Sequence, residues 1–307
     1  MRLECVKWMD FKTRTRLSAT SKTEKSLVEA KKYRIDQAKL FMINYTLRRW
    51  MLEPCSESFR SSDPGLTDAF VSAMFKNCEI KTFWMNRVRQ WYDQRARNRK
   101  IAKFAPFHFK RVSVFCERDL YFFMENCVNL EKIDFYGHFT PDPNILELPS
   151  VLDVKEFRIS DLDCSGEFEE FFIGLVQKWI DNDVEIGKSI QFNVSTPGMV
   201  GSFVDEFADR VVEETDEEVR IRMNNDKTHI LLRIIGFNDN MPHFPPSLGI
   251  EYFSCKVIPF DMPKSEYGKG DEWIQAVYEK ELKADGVLEK AMEFDAEDQA
   301  VWGLEYS

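Results

Sequence analysis

The segment Leu130-Glu131-Lys132-Ile133-Asp134-Phe135-Tyr136 carries the pattern that decides the fold of this 307-residue chain. Apolar residues alternate with charged or polar residues along it, which is typical of a half-buried β-strand. The same alternation recurs in three further segments, at residues 109–115, 154–160 and 188–194. Between them, residues 118–127 and 168–180 place apolar side chains on one helical face. The chain therefore predicts strands that alternate with helices.

Strand–helix units at this spacing resemble leucine-rich repeats, in which parallel strands line a curved face. Residues 126–133 and Leu162-Asp163-Cys164 are similar to fragments of that consensus. The resemblance implies a mixed α/β body over residues 104–282 whose strand-lined face binds a target protein. We expect Lys132, Lys155 and Arg158 to contribute to target binding.

The first thirty-six residues show a different pattern, that of short helices. A first helix ends in a break at Asp10 and Lys12-Thr13, and Ser21 is the expected N-cap of a later one. So short a segment cannot bury a core of its own, so the rest of the chain or another protein must cover its apolar edge. The apolar positions are Leu3, Val6, Met9, Leu17, Leu27 and Val28.

The run Trp8-Met9-Asp10-Phe11-Lys12-Thr13-Arg14-Thr15-Arg16-Leu17, followed by Ala19-Thr20-Ser21-Lys22-Thr23-Glu24-Lys25-Ser26-Leu27-Val28, resembles the F-box of nematode F-box proteins. The opening Leu-Pro of that family would lie before Met1, so a partial F-box is expected over residues 1–36. Residues 184–194 and 219–234 are similar to the F-box-associated region that follows in those proteins.

The F-box resemblance implies that the chain docks onto the adaptor of an SCF-type ubiquitin ligase and, through it, the cullin. The body then selects an unknown target protein, and the chain itself is not an enzyme. The docking positions that the resemblance implies are Leu3, Val6, Met9, Leu17, Thr20, Leu27 and Val28.

Charge is distributed unevenly along the chain, whose net charge is −10. Residues 1–103 hold 23 Lys and Arg against 11 Asp and Glu, whereas the remainder holds 19 against 41. This asymmetry suggests either two surfaces with different partners or a basic helix face that folds back on the acidic part.

The basic segment 87–103 suggests an alternative function, because Trp91 and Tyr92 lie among its cations. Basic residues interleaved with aromatic ones can bind single-stranded nucleic acid. No recognised nucleic-acid module surrounds the segment and the rest of the chain is acidic, so a solvated helix is favoured. A further alternative is a decayed family copy whose F-box no longer docks.

Catalysis is not indicated by any motif. The sequence contains no Gly-rich phosphate loop, no GxSxG and no HExxH. A Cys/His pair of His138 with Cys116 or Cys127 is one interpretation, but a loop histidine is the favoured one. Acidic runs such as 167–170 and 213–218 are typical of solvated surface. We assign no catalytic residue, no metal site and no cofactor.

The seven cysteines are scattered without a CxxC pair, which indicates free thiols in the cytosol or nucleus. No segment is typical of a signal peptide or a transmembrane helix, so no membrane association is expected. Four segments follow: an F-box-like part (1–36), a basic strand–helix connection (37–103), the repeat-like body (104–282) and an acidic tail (283–307).

Several local predictions accompany this division. A strand is expected over Lys39–Leu52, a loop at residues 56–65, and a helix at residues 203–212. Two strands, 219–223 and 229–234, are expected to form a hairpin around Asn224–Lys227. A further strand near 252–258 and a helix over 271–282 complete the pattern.

Overall fold

The computed structural model describes residues 11–18, 20–29, 33–42, 48–53, 57–61, 74–75, 78–85, 101–136, 143–160, 166–194, 198–238 and 250–282. The fold is mixed α/β, as predicted, and divides into two compact units, Met1–Ile190 and Gln191–Ser307.

The helices, in chain order, are α1 (Phe11–Ser18), α2 (Lys22–Glu29), α3 (Glu117–Asn126), α4 (Ser150–Asp153), α5 (Gly166–Asp181), α6 (Met199–Glu206) and α7 (Glu272–Leu282). The strands are β1 (Tyr33–Met42), β2 (Arg48–Glu53), β3 (Glu57–Ser61), β4 (Cys78–Met85), β5 (Arg111–Val114), β6 (Lys132–Tyr136), β7 (Glu156–Ser160), β8 (Ser189–Val194), β9 (Val211–Glu214), β10 (Glu218–Arg222), β11 (Thr228–Asn238) and β12 (Ile250–Pro259).

In the first unit the strands follow the order β3-β2-β1-β4-β5-β6-β7. The neighbouring pairs β1–β4, β4–β5, β5–β6 and β6–β7 are parallel. The pairs β1–β2 and β2–β3 are antiparallel. Parallel neighbours need a crossover, and α3 supplies the one between β5 and β6. The four alternating segments are confirmed as strands β5, β6, β7 and β8.

One side of the parallel strands forms the apolar core of the first unit. Ile133 and Phe135 of β6 are buried there, as are Phe157 and Ile159 of β7. On the same side the rings of Phe83 and Phe109 stack with centroids 5.0 Å apart, and Phe107 and Phe123 lie against them. Burying one such ring contributes about 2 kcal/mol, so this cluster stabilises the core of the first unit.

The N-terminal helices begin the first unit. The predicted cap is confirmed, because the backbone N–H of Glu24 donates to Ser21 Oγ at 3.2 Å. The predicted break at Lys12-Thr13 is wrong, since α1 runs through both residues. The helix predicted before it, around Leu3 to Met9, lies outside the described residues.

In the second unit the strand order is β8-β12-β11-β10-β9, and β12, β11, β10 and β9 pair antiparallel. The predicted hairpin is confirmed, because β10 and β11 join through a turn in which Lys227 N–H donates to Asn225 Oδ1 at 2.9 Å. The helix predicted over 203–212 is wrong at its end. Helix α6 stops at Glu206 and the β-branched pair Val211-Val212 opens strand β9.

The region before residue 104 also differs from the prediction. Lys39–Leu52 is not one strand, because β1 ends at Met42 and β2 returns antiparallel from Arg48; residues 43–47 lie outside the described part of the chain. The loop predicted at 56–65 contains β3, which pairs with β2. Alternation indicates extended chain, but it does not show where the chain reverses.

The predicted segment boundaries at residues 36 and 103 do not separate structural units. Position 36 falls inside β1, and β4 pairs in parallel with β5 across position 103. The strands of the predicted connection therefore extend the sheet of the predicted body. The division between the two compact units lies instead within β8, which begins in the first unit and ends in the second.

Candidate binding face of the first unit

The parallel strands β4 to β7 present a second, polar side, which we call the strand face. The register places Ser113 beside Asp134 and Asp134 beside Arg158, so one row of side chains crosses three strands. Because alternate residues of a strand point to opposite sides, these side chains lie opposite the apolar core. The strand face consists of Trp84, Arg111, Ser113, Lys132, Asp134, Tyr136, Glu156 and Arg158.

An ion pair between Arg111 and Asp134 forms the centre of the strand face. Arg111 donates to both carboxylate oxygens of Asp134, through Nε at 2.5 Å and Nη2 at 2.8 Å. Ser113 Oγ donates to the same carboxylate at 2.7 Å. The Asp134 side chain is fully buried, and its hydrogen bond is the main reason that the pKa of Arg111 rises above its ordinary value. A bidentate pair of this kind holds the guanidinium in one orientation.

Glu156 forms a second carboxylate centre, one strand away. Its Oε2 pairs with Lys132 Nζ and its Oε1 accepts a hydrogen bond from Arg158 Nε at 2.5 Å. Burial by itself raises the pKa of Glu156, but the hydrogen bond from Lys132 and the charge of Arg158 outweigh it and lower the pKa below its usual value. Glu156 is therefore ionised at neutral pH and bridges the two cations.

Aromatic rings border the polar rows where β4, β5 and β6 lie together. The rings of Phe115 and Tyr136 have centroids 5.3 Å apart, and Trp84 and Phe115 form a T-shaped pair with centroids 5.4 Å apart. Burial and the charge of Asp134 raise the pKa of Tyr136, so its hydroxyl stays protonated. Beside these rings lies a cavity of about 350 Å³, lined by Asp36, Gln37, Lys81, Thr82, Trp84, Arg111, Ser113 and Tyr136.

The exposed fractions of the charged side chains show what a ligand would contact on this face. Asp134 is 0 % exposed beneath Arg111 at 34 %. Glu156 is 12 % exposed, beneath Lys132 at 43 % and Arg158 at 18 %. The carboxylates are therefore less exposed than the cations that they orient, so the cations are the charged groups most accessible on this face.

Two of the three residues predicted to bind a target lie together on this face. Lys132 and Arg158 share Glu156 as their partner. Lys155 precedes β7, and its Nζ lies 3.9 Å from Oε1 of Glu185, with both side chains more than half exposed. Lys155 therefore does not share the carboxylate that binds Lys132 and Arg158. Sequence reasoning missed Arg111, Asp134 and Tyr136. The signal for them was present, because polar residues occupy the same alternate positions in each of the three strands.

The predicted adaptor-docking residues are placed unevenly. Leu17 is half-buried at the end of α1, and Thr20 is exposed and donates to the Leu17 carbonyl at 2.7 Å. Val28 is 1 % exposed, so its side chain packs within the chain. Leu27 lies in α2, but its side chain is outside the described part of the structure. Leu3, Val6 and Met9 lie outside the described residues altogether. The basic segment 87–103 is described only from residue 101 onward.

The second unit holds a buried polar network whose contacts are structural. Lys256 Nζ donates to the carbonyl oxygens of Tyr267 and Lys269 and to Asp271 Oδ1 at 3.0 Å. Asp271 also accepts from Arg233 at 2.6 Å and from Ser254 at 2.5 Å. Burial lowers the pKa of Lys256, and Asp271 opposes that shift. The network attaches the segment before α7 to strands β11 and β12.

His229, in the same unit, also forms a hydrogen bond with a charged side chain. Its Nδ1 accepts a hydrogen bond from Arg220 Nε at 2.7 Å, so the ring is neutral. Burial and the charges of Arg220 and Arg222 lower its pKa. His138 and His243 lie outside the described residues, and His108 is exposed beside β5.

The described cysteines Cys78, Cys116, Cys127 and Cys255 are free thiols. Burial raises the pKa of Cys127 and of Cys255, which keeps both protonated and poorly nucleophilic. Within the described ranges, no three His, Cys, Asp or Glu side chains converge as metal ligands would. None of the described helices is both long and apolar enough to cross a bilayer.

No protein-family model matches the chain, and neither the curated proteins nor the solved structures include a match.

Proposed function

We propose that this chain is a non-catalytic substrate-recognition subunit of an SCF-type ubiquitin ligase. The observation that carries the proposal is the order of its parts. The α1–α2 segment, whose residues resemble an F-box, leads directly into a parallel strand–helix body with a polar strand face. The segment docks the adaptor, and the body binds the protein to be modified.

Recognition by the body is supported by the rigidity of the strand face. Its described carboxylates are buried and fully engaged, and the cations above them are held in position by ion pairs. Such a surface loses little side-chain freedom when it binds, because the side chains are already ordered. Pre-ordered side chains of this kind favour binding to a protein partner.

Docking by the N-terminal segment follows a helix-in-groove mode, in which apolar side chains of short helices enter a partner. Leu17 is the described residue best placed for this role, because it remains partly exposed at the end of α1. Thr20 lies beside it, exposed, in the turn that joins α1 to α2.

The proposal is tested by calorimetric titration of the full-length chain with a recombinant SCF adaptor. The double variant Leu17→Ala with Leu27→Ala is expected to weaken binding more than tenfold, because each truncation at a buried contact costs about 2 kcal/mol. Leu152→Ala, in α4, is the matched control, since it shortens a half-buried leucine outside the segment. Absence of adaptor binding by the unmodified chain, or equal affinity of the double variant, would refute the docking role.

A further inference from the structure

We propose that the strand face binds an acidic, extended peptide segment of the target protein. Carboxylates of that segment contact Arg111, Lys132 and Arg158, and one of its aromatic side chains packs against Trp84 and Tyr136 at the cavity. The inference deepens the proposed function and rests on it for the identity of the ligand as part of a protein target.

The first argument is charge complementarity. Among the described side chains of the face, three cations pair with two carboxylates, which is an excess of one positive charge within that set. The carboxylates are the buried members, so the potential at the surface is more positive than the sum alone indicates. Asp36 and Lys81 at the rim of the cavity are of opposite sign and leave this balance unchanged. An anionic partner is therefore favoured.

The second argument is the distance that the side chains span. Strands β4 to β7 are separated by three inter-strand spacings, about 14 Å in total. An extended peptide advances about 3.3 Å per residue, so roughly five residues cross from Trp84 to Arg158. Alternate side chains of such a peptide point to the same side, which lets several carboxylates meet the cations together.

The third argument is the cavity of about 350 Å³ at one end of the face. Its size is at the lower end of the range for ligand pockets, which suits a single side chain rather than a cofactor. Trp84 and Tyr136 supply aromatic surface, while Thr82 and Ser113 supply hydroxyl groups. Most of the lining is polar, and the rings of Trp84 and Tyr136 are its aromatic part, so a peptide that combines carboxylates with one aromatic side chain fits the surface.

A nucleic acid is the less suitable anion. Tight binding to nucleic acid depends on neutralising many phosphates, and a face with an excess of one positive charge can neutralise few of them. A short peptide places its few carboxylates individually on the cations.

The test is fluorescence anisotropy of the full-length chain with a fluorescein-labelled extended peptide of about eight residues, in which alternate positions carry three Glu and one Phe on the same side and the positions between them carry Ser. A second peptide has Lys in place of Glu, and a third probe is a single-stranded DNA of similar length. The Glu peptide is expected to bind at least ten times more tightly than either, with affinity that falls as salt is added.

The variants Lys132→Gln and Arg158→Gln test whether the Glu peptide binds on the strand face. Each removes one cation but leaves Glu156 with its other partner, so the fold is retained. Each is expected to weaken the Glu peptide about threefold or more. Lys103→Gln removes the same charge from an exposed position outside the strand face and is expected to leave affinity unchanged.

Equal binding of the Glu and Lys peptides, tighter binding of the DNA, or unchanged affinity of both strand-face variants would overturn the proposal. Titration of the same proteins with the adaptor separates the two hypotheses. Peptide selectivity without adaptor binding refutes only the ligase assignment. Adaptor binding without peptide selectivity refutes only the acidic-segment inference.

Discussion

Asp134 is the residue on which the order of the strand face depends. It is fully buried and accepts two hydrogen bonds from Arg111 and one from Ser113. Asp134→Asn removes the charge that Arg111 needs, and is expected to lower the free energy of unfolding by about 2–3 kcal/mol. This loss of stability is smaller than the one usually caused by breaking a fully buried ion pair, because a third of the Arg111 side chain is exposed to water. Urea denaturation measures the change.

Ser113→Ala is the matched control for that substitution. It removes one hydrogen bond to Asp134 but leaves the ion pair with Arg111, so a loss of about 1 kcal/mol is expected. Equal losses for the two variants would show that the charge of Asp134 contributes nothing beyond its hydrogen bonds.

Glu251 on β12 is a carboxyl group in an unfavourable environment. Its Oε2 is buried and accepts no hydrogen bond from the described residues, and burial raises its pKa. Because the folded pKa lies above the unfolded one, near 4.5, the folded chain holds the proton more tightly. Stability therefore falls as pH rises from the unfolded pKa through the folded pKa.

Glu251→Gln removes that pH dependence. The variant is expected to melt at a higher temperature than the unmodified chain at pH 7, and the difference is expected to shrink towards zero near pH 4. Differential scanning calorimetry at both pH values measures it. Glu214→Gln, exposed on β9, changes the same charge without burial and serves as the control. A Glu251→Gln variant that is less stable at pH 7 would contradict the role of burial.

Among the elements, the packing of α7 on β11 depends on the absence of a side chain at Gly236. The register between β11 and β12 shifts there, and a Cβ at Gly236 would lie 2.4 to 2.7 Å from the ring of Tyr278. That ring also packs against Tyr252, with centroids 5.0 Å apart. Gly236→Ala must displace α7 or the ring and is expected to cost about 1–3 kcal/mol by chemical denaturation.

Two further variants test this explanation. Gly201→Ala, within α6, adds a methyl group where no atom lies within 4 Å, and is expected to be neutral or slightly stabilising. Combining Gly236→Ala with Tyr278→Ala is expected to cost less than the sum of the two single changes, because the clash is then absent. Strict additivity would show that the ring is not the obstacle.

At the scale of the whole molecule, the proposed function assigns folding and docking to different residues of the N-terminal helices. Val28 is buried within the chain and Leu17 is partly exposed, while α1 packs against α2. Val28→Ala is expected to lower the free energy of unfolding by about 1–2 kcal/mol, because it leaves a small cavity. Leu17→Ala is expected to cost less stability and to reduce adaptor affinity instead.

Thermal denaturation and adaptor titration of both variants distinguish these roles. A loss of about 1–2 kcal/mol corresponds to a fall of several degrees in Tm for a unit of this size. If Leu17→Ala lowers Tm as much as Val28→Ala does, Leu17 belongs to the core and the helices are not a separate docking surface. Unchanged stability of Val28→Ala would instead remove Val28 from the core.

The sequence by itself determined the strand–helix alternation after residue 104 and the hairpin between β10 and β11. Both depend on local signals, namely the two-residue alternation of Lys132–Tyr136 and the Asn-rich turn before Lys227. It also placed Lys132 and Arg158 on one surface, because both occupy polar positions of their strands. Each of these signals is local, because it depends on residues within one strand or one turn.

Only the tertiary structure decided the rest. The pairing of β4 with β5, the antiparallel return of β2 and the division within β8 depend on contacts between distant segments. Arg111 meets Asp134 across 23 positions of sequence, and Glu156 joins cations from two strands. Alternation shows which side of a strand a residue occupies, but strand order and register decide its neighbours, since one-residue slips exchange the faces.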